Sequence, residues 1–491
     1  MENKTDLLII KPGSPQKIYG DLSTALSAVE PPLFGLMMAA FAKEKGYAVK
    51  ILDMEVEGLD AKAVAEKIID INPLLVDIVV AGANPSASST PLMSITGEIL
   101  NALKQKASSV KTVLSGIHPS VLSGETLKEE KTDFVIKGES FYAMVDLLER
   151  LKNDKDVENP AILGLWYLKN GKAIDNGWAK TAENIDELPM PAWDLLDMTK
   201  YRAHNWHCFG HLKERSPYAV IYTSLGCPYN CSYCNIHAMY GRPGIRFRSP
   251  EKIIEEIDLL VKKYGVKNIK FFDELFAINE DRVNRICDLI IERGYDLNIW
   301  AYARINTVNG QMLEKMKKAG INWLCYGIES GSQDVRSGVN KFGFGQESIR
   351  KVINMTQKAG IYILGNFIFG LPDDNFETMT ETFNLAKELN CEYVNFYMAM
   401  AYPGSRLYEE AKTKKWALPE SWLGFAQLNK ETLPLATKHI SGRDVLRFRD
   451  KAFDEYYKRP EYVKMIKEKF GSEELFHIEE MLKHKIERKF A

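Results

Sequence analysis

Ser224-Leu-Gly-Cys227-Pro-Tyr-Asn-Cys231-Ser-Tyr-Cys234-Asn235 places three cysteines within eight residues, at the spacing C-x3-C-x2-C. The leading C-x3-C pair departs from the C-x2-C pairs common in structural zinc sites. Three thiolates on one tight loop can hold three corners of a cubane 4Fe–4S cluster and leave one iron without a protein ligand. Such an iron is a place for a substrate or cofactor to bind and react, as at an open catalytic zinc. A zinc knuckle completed by His237 or Cys208 is the other site these residue types allow.

Working outward, the loop follows an apolar strand pattern at 219–224. Five more such patterns come at 267–273, 298–304, 323–329, 362–370 and 392–399. Helical periodicity lies between them at 250–264, 281–293, 311–319, 346–359 and 376–389. Six strand–helix repeats predict a partial (β/α)6 barrel, with its site at the C-terminal ends of the strands.

The residues before the barrel predict a separate α/β unit. Buried β-branched runs at 6–11, 47–52, 75–83, 111–116 and 133–138 alternate with helices at 33–45, 61–71, 91–106 and 141–152. This is a doubly wound, Rossmann-like pattern, whose ligands bind beyond the carboxyl ends of the strands. The loops gathered there are 12–14, 83–86, 116–119 and 138–140. Asn170-Gly171 predicts a hairpin at 163–174, and Leu188-Pro-Met-Pro reads as a linker. The expected units are residues 1–160, a hairpin and linker at 161–215, the barrel at 216–410, and a C-terminal helical region at 411–491.

The 491 residues carry 64 Lys and Arg against 66 Asp and Glu, a formal charge of −2. That balance offers no basic excess for nucleic acid. Seven cysteines are too few for a disulfide scaffold. No run reaches the ~18 apolar residues of a bilayer span. The apolar run near the N-terminus is too short for a signal-peptide core. We therefore expect a soluble, cytoplasmic enzyme without nucleic-acid or membrane partners.

With these residues in view, the sequence resembles the radical S-adenosylmethionine (SAM) superfamily, whose hallmark is a C-x3-C-aromatic-C loop after the first barrel strand. The resemblance implies that Cys227, Cys231 and Cys234 ligate the cluster and that Tyr233 lies near the adenine of SAM. Asp273 and Glu274 resemble the second-strand element that takes the SAM amino group, although the usual Gly-Gly-Glu is absent. Arg304 would suit the carboxylate as a fork of donors. Glu329 and Ser330 resemble the fourth-strand motif near the ribose, and Gly370 the fifth-strand backbone contact.

The N-terminal unit is similar to the cobalamin-binding domain of one branch of that superfamily. The resemblance rests on Pro31-Pro32-Leu33-Phe34-Gly35-Leu36, Ser115-Gly116-Ile117-His118-Pro119 and residues 133–139. It implies cobalamin contacts at Pro12, Gly13, Leu33, Gly35, Asn84, Ser86, Ser115, Gly116, His118, Gly138 and Glu139. The cobalt-ligating signature Asp-x-His-x-x-Gly is missing, so loop 84–90 is expected under the lower face of the corrin.

Together these imply a cobalamin-dependent radical SAM methyltransferase. It would methylate an unactivated carbon, or a phosphorus, of a small molecule through methylcobalamin and a 5′-deoxyadenosyl radical. Rearrangement, cyclisation or dehydration without net methylation is the alternative. An electron donor such as flavodoxin or ferredoxin is the expected partner. Trp300, Tyr302, Trp323, Tyr326, Phe367 and Tyr397 are candidate pocket or core aromatics.

Overall fold

A computed structural model of the chain describes residues 4–13, 15–19, 27–82, 84, 88–153 and 160–491. Ser86, one of the expected cobalamin contacts, lies outside the described residues, as do Ser14, Ala83 and Pro85 of the neighbouring loops.

Among the described residues the first sheet has seven strands. β1 (Leu7–Lys11), β2 (Val49–Asp53), β3 (Leu75–Val80), β4 (Thr112–Gly116) and β5 (Phe134–Ile136) are parallel, in the order β2-β1-β3-β4-β5. Alternation along β1 explains the two layers of helices. Leu7 and Ile9 join the core under the helices Leu33–Glu44 and Phe141–Lys152, whereas Leu8 and Ile10 face Ala61–Ile71 and Met93–Lys106. The chain order reverses between β1 and β3, which opens a crevice at their carboxyl ends.

The hairpin is present but does not belong to a connection. β6 (Leu165–Lys169) and β7 (Lys172–Ile174) extend the first sheet, with β6 antiparallel to β5 through Ile136↔Leu165 and Phe134↔Tyr167. Asn170 and Gly171 have φ of 51° and 75°, the positive pair that a tight hairpin turn needs. Strand pairing across 31 residues decides this placement, and local sequence does not encode it.

The second sheet starts at β8 (Tyr218–Ile221). A small antiparallel pair follows, β9 (Ser224–Cys227) with β10 (Gly244–Phe247), which the sequence did not predict. The remaining barrel strands are β11 (Asn268–Phe271), β12 (Asn298–Ala303), β13 (Ile321–Glu329), β14 (Tyr362–Phe369) and β15 (Tyr393–Met398). They run parallel in sequential order from β8, and β15 is the far edge among the described residues. The outer helices start where the sequence offers caps: Ser249, Asn279, Asn309 and Asn375 each accept a hydrogen bond from the backbone three residues on.

Two devices close the barrel. At the N-terminal ends of its strands, residues 204–208 form a plug. Trp206 packs edge-on against Trp300 and Trp323, the backbone carbonyl of Asn298 lies 3.0 Å from His207 Nε2, and Cys208 meets Asn268. At the open edge, the helices Gly442–Lys458 and Pro460–Lys469 cover β15. Tyr456, Tyr457 and Tyr462 donate their hydroxyls to the carbonyls of Cys391, Val394 and Glu392 at 2.7–3.0 Å. An uncovered edge would invite pairing with other chains. No described helix is long and apolar enough to cross a membrane.

Candidate active site at the junction of the two sheets

The cysteine loop is positioned from β11. The Asp273 carboxylate accepts the backbone N–H of Thr223 at 2.6 Å, the Ser224 hydroxyl at 2.6 Å and the Thr223 hydroxyl. Next to it, Glu274 Oε2 accepts the Gly226 N–H at 3.1 Å. Gly226 has φ +91°, and a Cβ there would stand 2.5 Å from the Gly244 carbonyl oxygen, so only glycine lets β9 lie against β10. Cys227 therefore leaves β9 in a fixed direction.

None of the seven cysteines is in a disulfide. Burial pushes the Cys227 thiol up to about 12, while Cys231 and Cys234 are half-buried. Among the described residues no three His, Cys, Asp or Glu side chains converge as a single metal ion requires. Thiols spread around a loop suit the separated corners of a cluster. Cys208 sits in the plug at the opposite ends of the strands, and His237 Nε2 lies 2.7 Å from the Tyr229 carbonyl.

Polar groups without partners flank this loop. Glu274 Oε1 is buried and makes no hydrogen bond, and burial raises its carboxyl to about 8. Arg304 Nε is likewise buried and unpartnered; its guanidinium stacks 4.0 Å from the Tyr229 ring and donates to the Phe342 carbonyl at 2.5 Å. Glu329 has φ +66°, an uncommon backbone for a residue with a side chain, and accepts from Lys341 at 2.8 Å. Burial first, then the Glu329 carboxylate, holds the Tyr233 hydroxyl well above its usual value. Ser330 bonds Thr382 at 3.0 Å, and Gly370 has φ +80°. An orphan acceptor, an orphan donor and three thiols are the set that a cluster with a chelated amino acid requires.

A cavity of about 1000 Å³ opens between the two sheets. Pro12, Gly13, Leu33, Gly35 and Asn84 line it from the first sheet, and Lys270, Trp300, Tyr302 and Tyr397 line it from inside the barrel. Trp206 floors it, and Arg449 and Lys485 wall it from the C-terminal region. Trp323, Tyr326 and Phe367 are core instead.

The other expected cobalamin contacts among the described residues do not line the cavity. Ser115 donates to Asp77 at 2.9 Å inside the sheet. Gly116 has φ +113°, and a Cβ would strike the Val80 carbonyl at 2.2 Å. His118 Nδ1 lies 3.2 Å from Thr90, its ring meets Trp422 edge-on at 4.5 Å, and burial lowers it to about 3. Gly138 is packed against Trp178, and Glu139 pairs with Arg246. Sequence reasoning missed Glu30 and Lys270, which meet in the cavity wall at 2.9 Å. A lysine set between the apolar Ile269 and Phe271 of a fully buried strand was the available signal.

The profile of the radical SAM superfamily matches residues 221–386, and that of the B12 binding domain matches residues 24–148. An uncharacterized methyltransferase of Pyrococcus horikoshii is 31% identical over 431 residues, 88% of each chain. The chain belongs to the B12-binding radical SAM enzymes. The anaerobic magnesium-protoporphyrin IX monomethyl ester cyclase of Rubrivivax gelatinosus is 26% identical, over 78% of this chain and 67% of the cyclase. Among solved structures, the radical SAM methyltransferase TsrM of Kitasatospora setae, with cobalamin and a 4Fe–4S cluster bound, superposes with a TM-score of 0.66. It covers 83% of this chain and 74% of its own at 16% identity, a likeness of fold. As a B12-binding radical SAM enzyme, the chain has a 4Fe–4S cluster, SAM and cobalamin as its cofactors.

Proposed function

We propose that this enzyme is a methyltransferase acting on an unactivated carbon, or a phosphorus, of a small molecule held in the cavity. One observation carries the reading: a single space joins Gly13, Gly35 and Asn84 at the ends of the first sheet to Lys270 and Tyr302 inside the barrel. When bound, the cluster and SAM supply a hydrogen-abstracting radical, and the corrin supplies a methyl group. The name of the Pyrococcus horikoshii relative supports methyl transfer.

The residues have distinct tasks. Cys227, Cys231 and Cys234 hold the cluster as thiolates. Glu274 Oε1, once its proton has passed to solvent, would accept from the ammonium of SAM, and Arg304 would donate to the carboxylate. Asp273 positions the loop through Thr223 and Ser224. Tyr233 and Glu329 shape the adenosine side, with Ser330 and the Gly370 backbone beside them. Gly13 and Gly35 line the side of the cavity that would face the corrin, and the aromatic walls exclude water. The corrin-binding unit runs through β7, and the barrel spans about 216–410. A one-electron donor such as flavodoxin or ferredoxin, in a reducing cytoplasm, feeds the cluster.

The Rubrivivax gelatinosus relative, a cyclase by name, favours a second reading in which the same architecture closes a ring without net methylation. Anaerobic purification with cobalamin supplied tests the first step: a stoichiometric corrinoid is expected. SAM with a reductant should then yield 5′-deoxyadenosine, and Cys231→Ala should abolish it. A product heavier by one methyl group, formed with S-adenosylhomocysteine, supports methyl transfer. A cyclised product of unchanged methyl count overturns it.

A further inference from the structure

We propose that Glu30 and Lys270 form a positioning pair that pins the corrin-binding edge of the first sheet to the strand anchoring the cysteine loop; this rests on the function proposed above. The two residues are 240 positions apart, and Lys270 Nζ donates to Glu30 Oε1 at 2.9 Å and approaches Oε2 at 3.3 Å. Their side chains are 3% and 8% exposed, and both face the cavity.

Each partner is itself held. Glu30 stands directly before Pro31-Pro32, whose rings restrict the backbone entering the helix Leu33–Glu44. Its carbonyl accepts from Lys11 at 2.8 Å, and Lys11 is tied to Asp53 at 3.2 Å and Glu55 at 3.1 Å. The Tyr218 hydroxyl lies 3.4 Å from Glu30 Oε1. On the other side, the Lys270 ammonium lies 4.2 Å from the Phe272 ring centre and 4.8 Å from that of Trp300.

From Lys270 the path to the cluster is short and stiff. Three residues on, just past the end of the strand, Asp273 grips Thr223 and Ser224, and Glu274 grips Gly226, the residue before Cys227. A displacement of Glu30 therefore reaches Cys227 through one ion pair and one strand. Apolar surfaces could join two units here at no greater energetic cost, because burying an ion pair gains little over packed hydrocarbon. A charged pair differs in that leaving either charge buried and unpaired is costly, which favours the one docking in which Lys270 Nζ meets Glu30 Oε1. Transfer of a group between two cofactors needs one fixed docking, since a misplacement of about 1 Å can cost ~100-fold in rate.

The experiment uses the full chain loaded with cobalamin and the cluster, reduced so that cobalt is Co(II) and the cluster carries an unpaired electron. The spin–spin splitting of the cobalt EPR signal then reports the distance and orientation between the two centres. The native protein should give one resolved splitting. Lys270→Met and Glu30→Gln should bind corrin and iron in native amounts yet smear that splitting, with linewidths at least doubled. Lys270→Arg should restore it. Native splitting in both Lys270→Met and Glu30→Gln overturns the proposal. So does loss of corrin or iron from both variants with no rescue by Lys270→Arg, which marks a role in folding alone. A native chain that takes up no corrin or no iron overturns the underlying function, and this proposal with it.

Discussion

The guanidinium of Arg246 and the carboxylate of Glu139 meet through two parallel hydrogen bonds of 3.0 Å, Nη1 to Oε2 and Nη2 to Oε1. Glu139 is fully buried and also accepts the Ala182 N–H at 2.8 Å, so the pair fastens β10 to the loop after β5. Glu139→Gln should destabilise the protein by about 3 kcal/mol, because it leaves Arg246 without its counter-charge. Urea unfolding checks the loss. Corrin affinity in the folded variant should be unchanged; a selective fall in affinity without loss of stability would restore Glu139 as a cofactor contact.

Burial raises Glu274 to about 8 in the cofactor-free protein, against the ordinary carboxyl value of 4.5 in the unfolded chain. Between those values the folded state holds a proton that the unfolded state has released. The contribution to stability is thus complete below pH 4.5 and is lost as pH rises to about 8. Glu274→Gln should lack that slope, so its Tm should gain on the parent's as pH rises from 4.5 to about 8. SAM should bind the parent more tightly as pH rises from 6 to 8, and bind Glu274→Gln with no such trend, by calorimetry.

A Cβ on Gly370 would stand 2.6 Å from Val445 Cγ1, at φ +80°. Gly370→Ala should cost about 2–4 kcal/mol from overlap and backbone strain combined. Combining it with Val445→Ala should cost less than the two single losses summed, by at least ~1 kcal/mol. Strict additivity in thermal unfolding would show that helix Gly442–Lys458 does not depend on this approach.

His118 is held neutral by burial, lowered to about 3. The unfolded chain takes up its proton near 6.5, so stability is full above that value and declines as pH falls toward 3. His118→Ala should flatten this acid limb and cost about 1–3 kcal/mol at neutral pH through the lost Thr90 and Trp422 contacts. The absorbance of bound cobalamin should not change; a shifted spectrum would place His118 on the cofactor.

The sequence was legible wherever a local pattern decides the outcome. Alternation of Leu7 and Ile9 against Leu8 and Ile10 specifies a two-faced strand, and Asn170-Gly171 specifies its turn. Cysteine spacing pointed to the loop. Tertiary pairings were not legible: β6 against β5, β9 against β10, and Glu139 with a partner 107 residues away. Ser115, Gly116, His118 and Gly138 showed the motif of a cofactor edge, yet their side chains or missing side chains serve close packing around β3 and β4 or beside Trp178. A motif records which residues stand together in sequence, while the direction each one faces depends on strands that arrive later.

Trp206 turns the barrel into a cup. With its N-terminal end closed by Trp206, Trp300 and Trp323, the cavity among the described residues reaches Lys270 from the side where the first sheet and the C-terminal helices meet. Trp206→Ala would take that floor away and should cost about 3–5 kcal/mol in urea unfolding, because Trp300, Trp323 and Tyr393 lose the ring that joins them.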